Sequence, residues 1–289
     1  MLSYLHGYHA GNFADVHKHC TLMLLLKKLH AKNTPITYID THAGAGLYAL
    51  DDEKAEKTRE SQLGVDALLA SKSGITHSAI TEYLHLLASV RVSKQHTLGE
   101  HAYPGSPAIA QALLREHDFG ILMELHNNEV GKLKQHFKRD TRLSIHHRDG
   151  FEGLAALTPP STARGLAFID PSYELTSDYH QLITSLQTAT ARWRTGVFAV
   201  WYPILAGEKN HADFIKRKLA QLDVASVLNS ELHIYTKEEN DGMIGSGMAI
   251  INAPWQLDTE LESLLPELET LLAQSSKVKN KVEWLKEKA

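Results

Sequence analysis

Cysteine is nearly absent from this chain: Cys20 is the single one in 289 residues. That excludes an internal disulfide framework and any CxxC metal or redox centre, and it fits a reducing cytoplasm. Long apolar runs are missing too. The best candidate, "TLMLLLKKL" from Thr21 to Leu29, ends in lysines and falls short of the roughly 20 residues that span a bilayer. The N-terminal "MLSYLHGYHAGNF" has no basic region leading into an apolar one, so no secretory signal is expected. Nor is there a surplus of basic charge. The formal net charge of −4 argues against tight non-specific binding to nucleic acid, which a basic surface drives. The ligand is narrowed by two further absences. There is no GxxxxGKS/T phosphate loop, and no HExxH or Cys/His spacing accompanies the 18 histidines, so no metal is expected.

What is present reads as an alternation of strands and helices in a chain 43% hydrophobic and 22% charged, ordinary for a globular domain. Its length suits one large α/β domain, or one that carries an insertion. A helix is predicted over Asp15 to His30, then a strand from Ile36 to Asp40 that runs into the glycine turn "THAGAG". The stretch from Tyr48 to Glu100 is polar, with apolar residues at i, i+3, i+4, and reads as a helical insertion (48–100) in a core made of 1–47 and 101–289. Ser106 is expected to cap the helix that follows "YPG", with Pro107 at its first position. "FGILMEL", "LSIHHRDG", "GLAFID" and "TGVFAVWYPI" are further strands, each except the last ending on an acid. "SVLNSELHIY" and "GSGMAIINAPW" read as a closing antiparallel pair, the next segment as an amphipathic helix, and the charged tail as frayed. The basic run of Lys132, Lys134, Lys138, Arg139, Arg142 and Arg148 reads as a solvated face.

Alternating elements imply a mostly parallel sheet covered on both faces, with ligands outside the carboxyl ends of its strands. Four strands end on Asp40, Glu124, Asp149 and Asp170, which places a polar site there. The Gly44-Ala45-Gly46 spacing is GxG without the third glycine of the dinucleotide fingerprint, and by itself it is equally a plain strand-to-helix turn. In order with the acids it makes a nucleoside pattern. An acid after the second strand can accept from both ribose hydroxyls, and one after the third can take an exocyclic amine. Asp170 opens the rigid turn Asp170-Pro171-Ser172-Tyr173, and its bland alternative is the N-cap of the next helix.

Asp-Pro-Ser-Tyr resembles the (Asp/Asn/Ser)-Pro-Pro-(Tyr/Phe) signature of enzymes that methylate exocyclic or amide nitrogens. Across nearly the whole chain, "MLSYLHGYHAGNFADVHKH", "DTHAGAG", "YPGSP", "ELH", "DG" and "GSGM" resemble bacterial large-subunit ribosomal RNA adenine-N6 methyltransferases of the RlmJ type. The resemblance implies a Rossmann-like S-adenosylmethionine-dependent core with a small helical insertion. It also implies 23S rRNA as partner, protein-free or in an early ribosomal particle, and a monomeric enzyme that needs no membrane. S-adenosylmethionine would be held by Lys18, His19, His42, Ser106, Glu124, Asp149, Gly150 and Asp170, with Lys18 or His19 near the methionine carboxylate. Tyr4, Pro171 and Tyr173 would meet the RNA, Tyr173 by stacking on a flipped base, and Asp170 would accept the amine proton. The family's second proline is Ser172 here, which takes rigidity rather than chemistry from the turn. Three other readings stay open: a DNA-adenine or protein-amide methyltransferase, a nicotinamide-dependent oxidoreductase using the glycine turn, and a silent RNA-binding domain. A pyrimidine-C5 enzyme is disfavoured because such enzymes commonly need a cysteine nucleophile and Cys20 sits in an apolar helix. His6, His9 and His17 have no assigned role.

Overall fold

The computed structural model describes residues 5–71, 74–93 and 96–287. In chain order it opens with helix α1 (Phe13–His30), strands β1 (Ile36–Asp40) and β2 (Leu47–Ala49), and helices α2 (Glu53–Thr58), α3 (Val65–Ala70) and α4 (Ser78–Arg91). Then come β3 (Ala102–Pro104), α5 (Ser106–Leu113), β4 (Phe119–Glu124), α6 (Asn127–Phe137), β5 (Leu143–His147), α7 (Gly150–Leu157) and β6 (Arg164–Ile169). The chain continues through α8 (Thr176–Arg192), β7 (Val197–Leu205), α9 (Ala212–Ala220), β8 (Val227–His233), β9 (Met243–Ile251), α10 (Leu257–Leu272) and β10 (Lys281–Lys286).

Eight strands form one sheet in the order β10-β8-β9-β7-β6-β1-β4-β5. From β5 to β7 the pairs are parallel, and β9, β8 and β10 add antiparallel strands beyond β7. All of β1 and nearly all of β6 are buried, as unbroken apolar runs should be when helices cover both faces. The chain reverses direction across the sheet between β1 and β6. In such sheets that switch point is where ligands bind.

α1 is buried over most of its length, including His17, Lys18 and His19. Its first turn is capped by Asn12, whose side chain accepts from the Asp15 amide at 2.9 Å, and the apolar remainder packs beneath the sheet within the main core. The segment between β2 and β3 is helical, and those two short strands pair antiparallel at its base, a ribbon not read from the sequence. Val65, Leu68, Ile80, Tyr83 and Leu87 of that segment belong to the same core as α1.

Two expectations are corrected here. The tail is not frayed: β10 pairs with β8 from Lys281 to Lys286. The alternation of Val282 and Trp284 with charged neighbours lets one face pack on the core while Lys281 and Glu283 blunt the sheet edge. Ser106 does not cap α5; Gly105 holds that position, because the Ser106 hydroxyl is drawn to a buried carboxylate.

Candidate active site

A cavity of about 270 Å³ opens at the switch point. The glycine turn, the N-terminus of α1 and the loops after β4, β5 and β6 all reach it. Gly44 and Gly46 carry φ of +57° and +74°, the left-handed region that residues with a Cβ enter only at a penalty. Gly150 is required for a different reason: a Cβ there would lie 2.1 Å from the Thr41 carbonyl oxygen. The glycines therefore let two loops close on one another at the cavity wall.

Lys18, His19, His42, Ser106, Glu124, Asp149, Gly150, Asp170, Pro171 and Ser172 all line this cavity. The two Glu124 oxygens accept from the Gly44 amide at 2.8 Å and the His126 amide at 2.6 Å, and burial raises its pKa. Asp149 is an N-cap: its Oδ1 accepts from the amides of Phe151 and Glu152, at 2.9 and 3.0 Å. That leaves Oδ2 without a partner among the described residues. The cap alternative fails for Asp170, since α8 starts at Thr176 after Leu175.

Asp170 is instead paired with Lys18, whose Nζ lies 2.5 Å from Asp170 Oδ2 and 2.9 Å from Asp15 Oδ1. The Trp201 ring lies 5.2 Å from the same ammonium. Burial works to lower the Lys18 pKa, but the two carboxylates outweigh it and hold the group above its ordinary value. Its charge is already shared between two acids of the protein. Asp15 was missed in the sequence, although its i, i+3 spacing from Lys18 on a helix was the available signal.

Asp40 lies behind the wall, fully buried, and accepts from the Tyr38 hydroxyl and from Ser106 Oγ, both at 2.7 Å. Burial lifts its carboxyl to about 6 against those hydrogen bonds. Burial likewise pushes His19 down to about 3 and His42 to about 4. Both rings are therefore neutral at pH 7, His19 against the Tyr103 hydroxyl at 3.0 Å and His42 against Thr41 Oγ1 at 2.7 Å. His126 also lines the cavity, and its Nδ1 is buried with no hydrogen-bond partner among the described residues.

Tyr173 does not line the cavity. Its hydroxyl donates to the Trp201 carbonyl at 2.6 Å, and its ring stacks on Tyr179 with centroids 4.6 Å apart. A buried phenol needs an acceptor, and the Trp201 carbonyl supplies one away from the cavity. These anchors hold Tyr173 at φ +52°, a conformation that costs a residue other than glycine about 1–2 kcal/mol. The turn that lacks its second proline is thus fixed through the tyrosine. Tyr4 lies outside the described residues.

An acceptor set of this kind, with an orphan imidazole nitrogen and glycine-lined walls, suits a nucleoside-bearing ligand. The family described as ribosomal RNA large subunit methyltransferase D, RlmJ, matches residues 33–286. The chain is 36% identical over 288 residues to the ribosomal RNA large subunit methyltransferase J of Escherichia coli, covering 99% of each chain. It is 35% identical over 285 residues to the protein of that name from Haemophilus influenzae, again covering 99% of each. A crystal structure of a Legionella pneumophila protein, 33% identical, superposes with a TM-score of 0.83 over 96% of this chain and 97% of that one. By these matches and the fold, the chain belongs to the RlmJ family of ribosomal RNA large subunit methyltransferases.

Proposed function

We propose that this protein methylates the exocyclic N6 of an adenine in 23S rRNA with S-adenosylmethionine as donor. The observation that carries it is the convergence of Glu124, Asp149, Asp170 and the glycine turn on one cavity in a chain of this family. Glu124 would take the ribose hydroxyls of the donor, and the unpaired Oδ2 of Asp149 its adenine amine. Gly150, His42 and Ser106 would form the wall against it, and His19 would offer a neutral ring. When bound, S-adenosylmethionine supplies a methyl group already activated on sulfur.

The protein's own task is to present the amine. The N6 lone pair is delocalised into the adenine ring. Acceptors that hold both N–H bonds help turn it outward, and Asp170 Oδ1 with the Pro171 carbonyl are suited to that. Lys18 fixes the direction of the Asp170 carboxylate through Oδ2. The amine becomes strongly acidic once it gains a fourth substituent. Asp170 Oδ1 can then receive its proton. Alignment supplies much of the remaining acceleration.

The test is to incubate the protein with labelled S-adenosylmethionine and unmodified, protein-free 23S rRNA, with ribosomal particles, duplex DNA and protein acceptors in parallel. N6-methyladenosine should form in RNA, and Asp170→Ala should lower kcat by about 10²–10⁴-fold. Absence of that product, or an undiminished Asp170→Ala, overturns the proposal.

A further inference from the structure

Beside the catalytic turn, an aromatic series leads from the site to the surface. Tyr173 stacks on Tyr179, and Tyr179 meets the His211 ring at 4.5 Å between centroids. Next to them His180, exposed on α8, contacts Phe214 of α9 edge-on at 5.2 Å. Arg217 and Lys218 follow Phe214 at i+3 and i+4, on the same face of the helix, and each cation lies 5.9 Å from the Phe214 centroid. Lys216 is consumed by Asp213 and Glu231, whereas Arg217 and Lys218 are in no ion pair among the described residues. Leu175, 62% exposed, lines the cavity and is the N-cap of the helix that carries His180. Rings and unpaired cations therefore stand beside α8, which lines the cavity with Asp178 and Gln181, in a protein whose net charge is −4.

We propose that His180, His211, Phe214, Arg217 and Lys218 form the docking strip for the single-stranded RNA next to the target nucleotide. This rests on the proposed function, since a base extruded into the cavity leaves its neighbours unstacked. Such bases stack on aromatic faces irrespective of sequence, and the phosphates between them seek cations. The strip offers both, on α9 and on the helix whose Asp178 and Gln181 line the cavity. Duplex RNA is a poor occupant, because its bases are already stacked on one another and present no faces to a protein ring.

The test measures binding of unmodified 23S rRNA to the full chain, in the presence of S-adenosylhomocysteine and across salt concentration. Phe214→Leu, which keeps apolar volume and removes the ring, should weaken RNA binding on the order of ten-fold. Arg217→Ala with Lys218→Ala should reduce the slope of log affinity against log salt by about 1.4, or 0.7 per phosphate on a single strand. S-adenosylhomocysteine affinity and the melting temperature should not move. A single-stranded oligoribonucleotide should compete for the strip and a blunt duplex should not. Unchanged affinity and slope in the variants, equal competition by duplex, or a dimer that the same substitutions dissolve would each overturn the strip. A chain that binds RNA through the strip yet yields no N6-methyladenosine would defeat the proposed function alone. Methylation without strip dependence would defeat only the strip.

Discussion

Lys18 shows how tertiary contacts set the partners of a side chain. It stands at the cavity as its neighbourhood in "ADVHKH" suggests, but its charge is divided between Asp15 and Asp170. Lys18 and Asp15 are almost wholly buried, so removing the cation strands at least one carboxylate. Lys18→Met should therefore lower stability by about 3–5 kcal/mol in urea titration, and a second change, Asp15→Asn, should restore part of it. Were Lys18→Met to leave the urea midpoint in place and raise only the KM for S-adenosylmethionine, the cation would belong to the donor instead. His17, without a role in the sequence, is explained by tertiary contacts. Its Nδ1 and Nε2 lie 3.0 Å from Ser246 and Ser230, and Ser246 in turn accepts from the Trp201 indole at 3.0 Å.

Among the elements, α1 brings Lys18 and His19 to the cavity. Its apolar run was legible, but a helix buried on all sides gives no sign of which polar residues face the ligand. Its N-terminus is set by Asn12, which accepts from the Asp15 amide and donates to Glu60 at 2.9 Å. Asn12→Ala should cost about 1 kcal/mol for the lost cap, read as a lower melting temperature. No change would mean that packing alone orders the helix. β10 shows the opposite failure. "KVEWLK" looked like a charged tail because only Val282, Trp284 and Leu285 are apolar in it, and its pairing with β8 depends on an edge built from residues fifty positions earlier.

For the whole molecule, neutral buried histidines link stability to pH. His17 and His19 are pushed to about 3 by burial, from an ordinary 6.5. Below pH 6.5 the unfolded chain takes up their protons and the folded chain resists, so stability falls as pH falls from 6.5 towards 3. Each contributes about 1.4 kcal/mol per pH unit at the steepest, so the pair contributes roughly 3. Urea titrations at pH 7 and pH 5 should show that loss, and His17→Gln should reduce it. An equal midpoint at both values would mean that these rings are charged in the fold.

The parallel sheet, the glycine turn, the strand-end acids and the Asp-Pro-Ser-Tyr turn were all readable in order along the chain. Periodicity, glycine conformation and the position of an acid after an apolar run are local properties, and they survive into the fold. Which acid caps a helix and which stays open to a ligand was not local. Asp149 does both, Asp40 retreats behind Ser106, and Asp170 is held by a lysine 152 residues away in sequence. Tyr173 likewise turned from the cavity because a buried hydroxyl needs an acceptor and Trp201 provides it. The sequence by itself determined the chemistry available at the sheet's carboxyl edge. Only the tertiary structure decided which groups spend their charge and hydrogen bonds on one another, because that competition is settled by burial and distance.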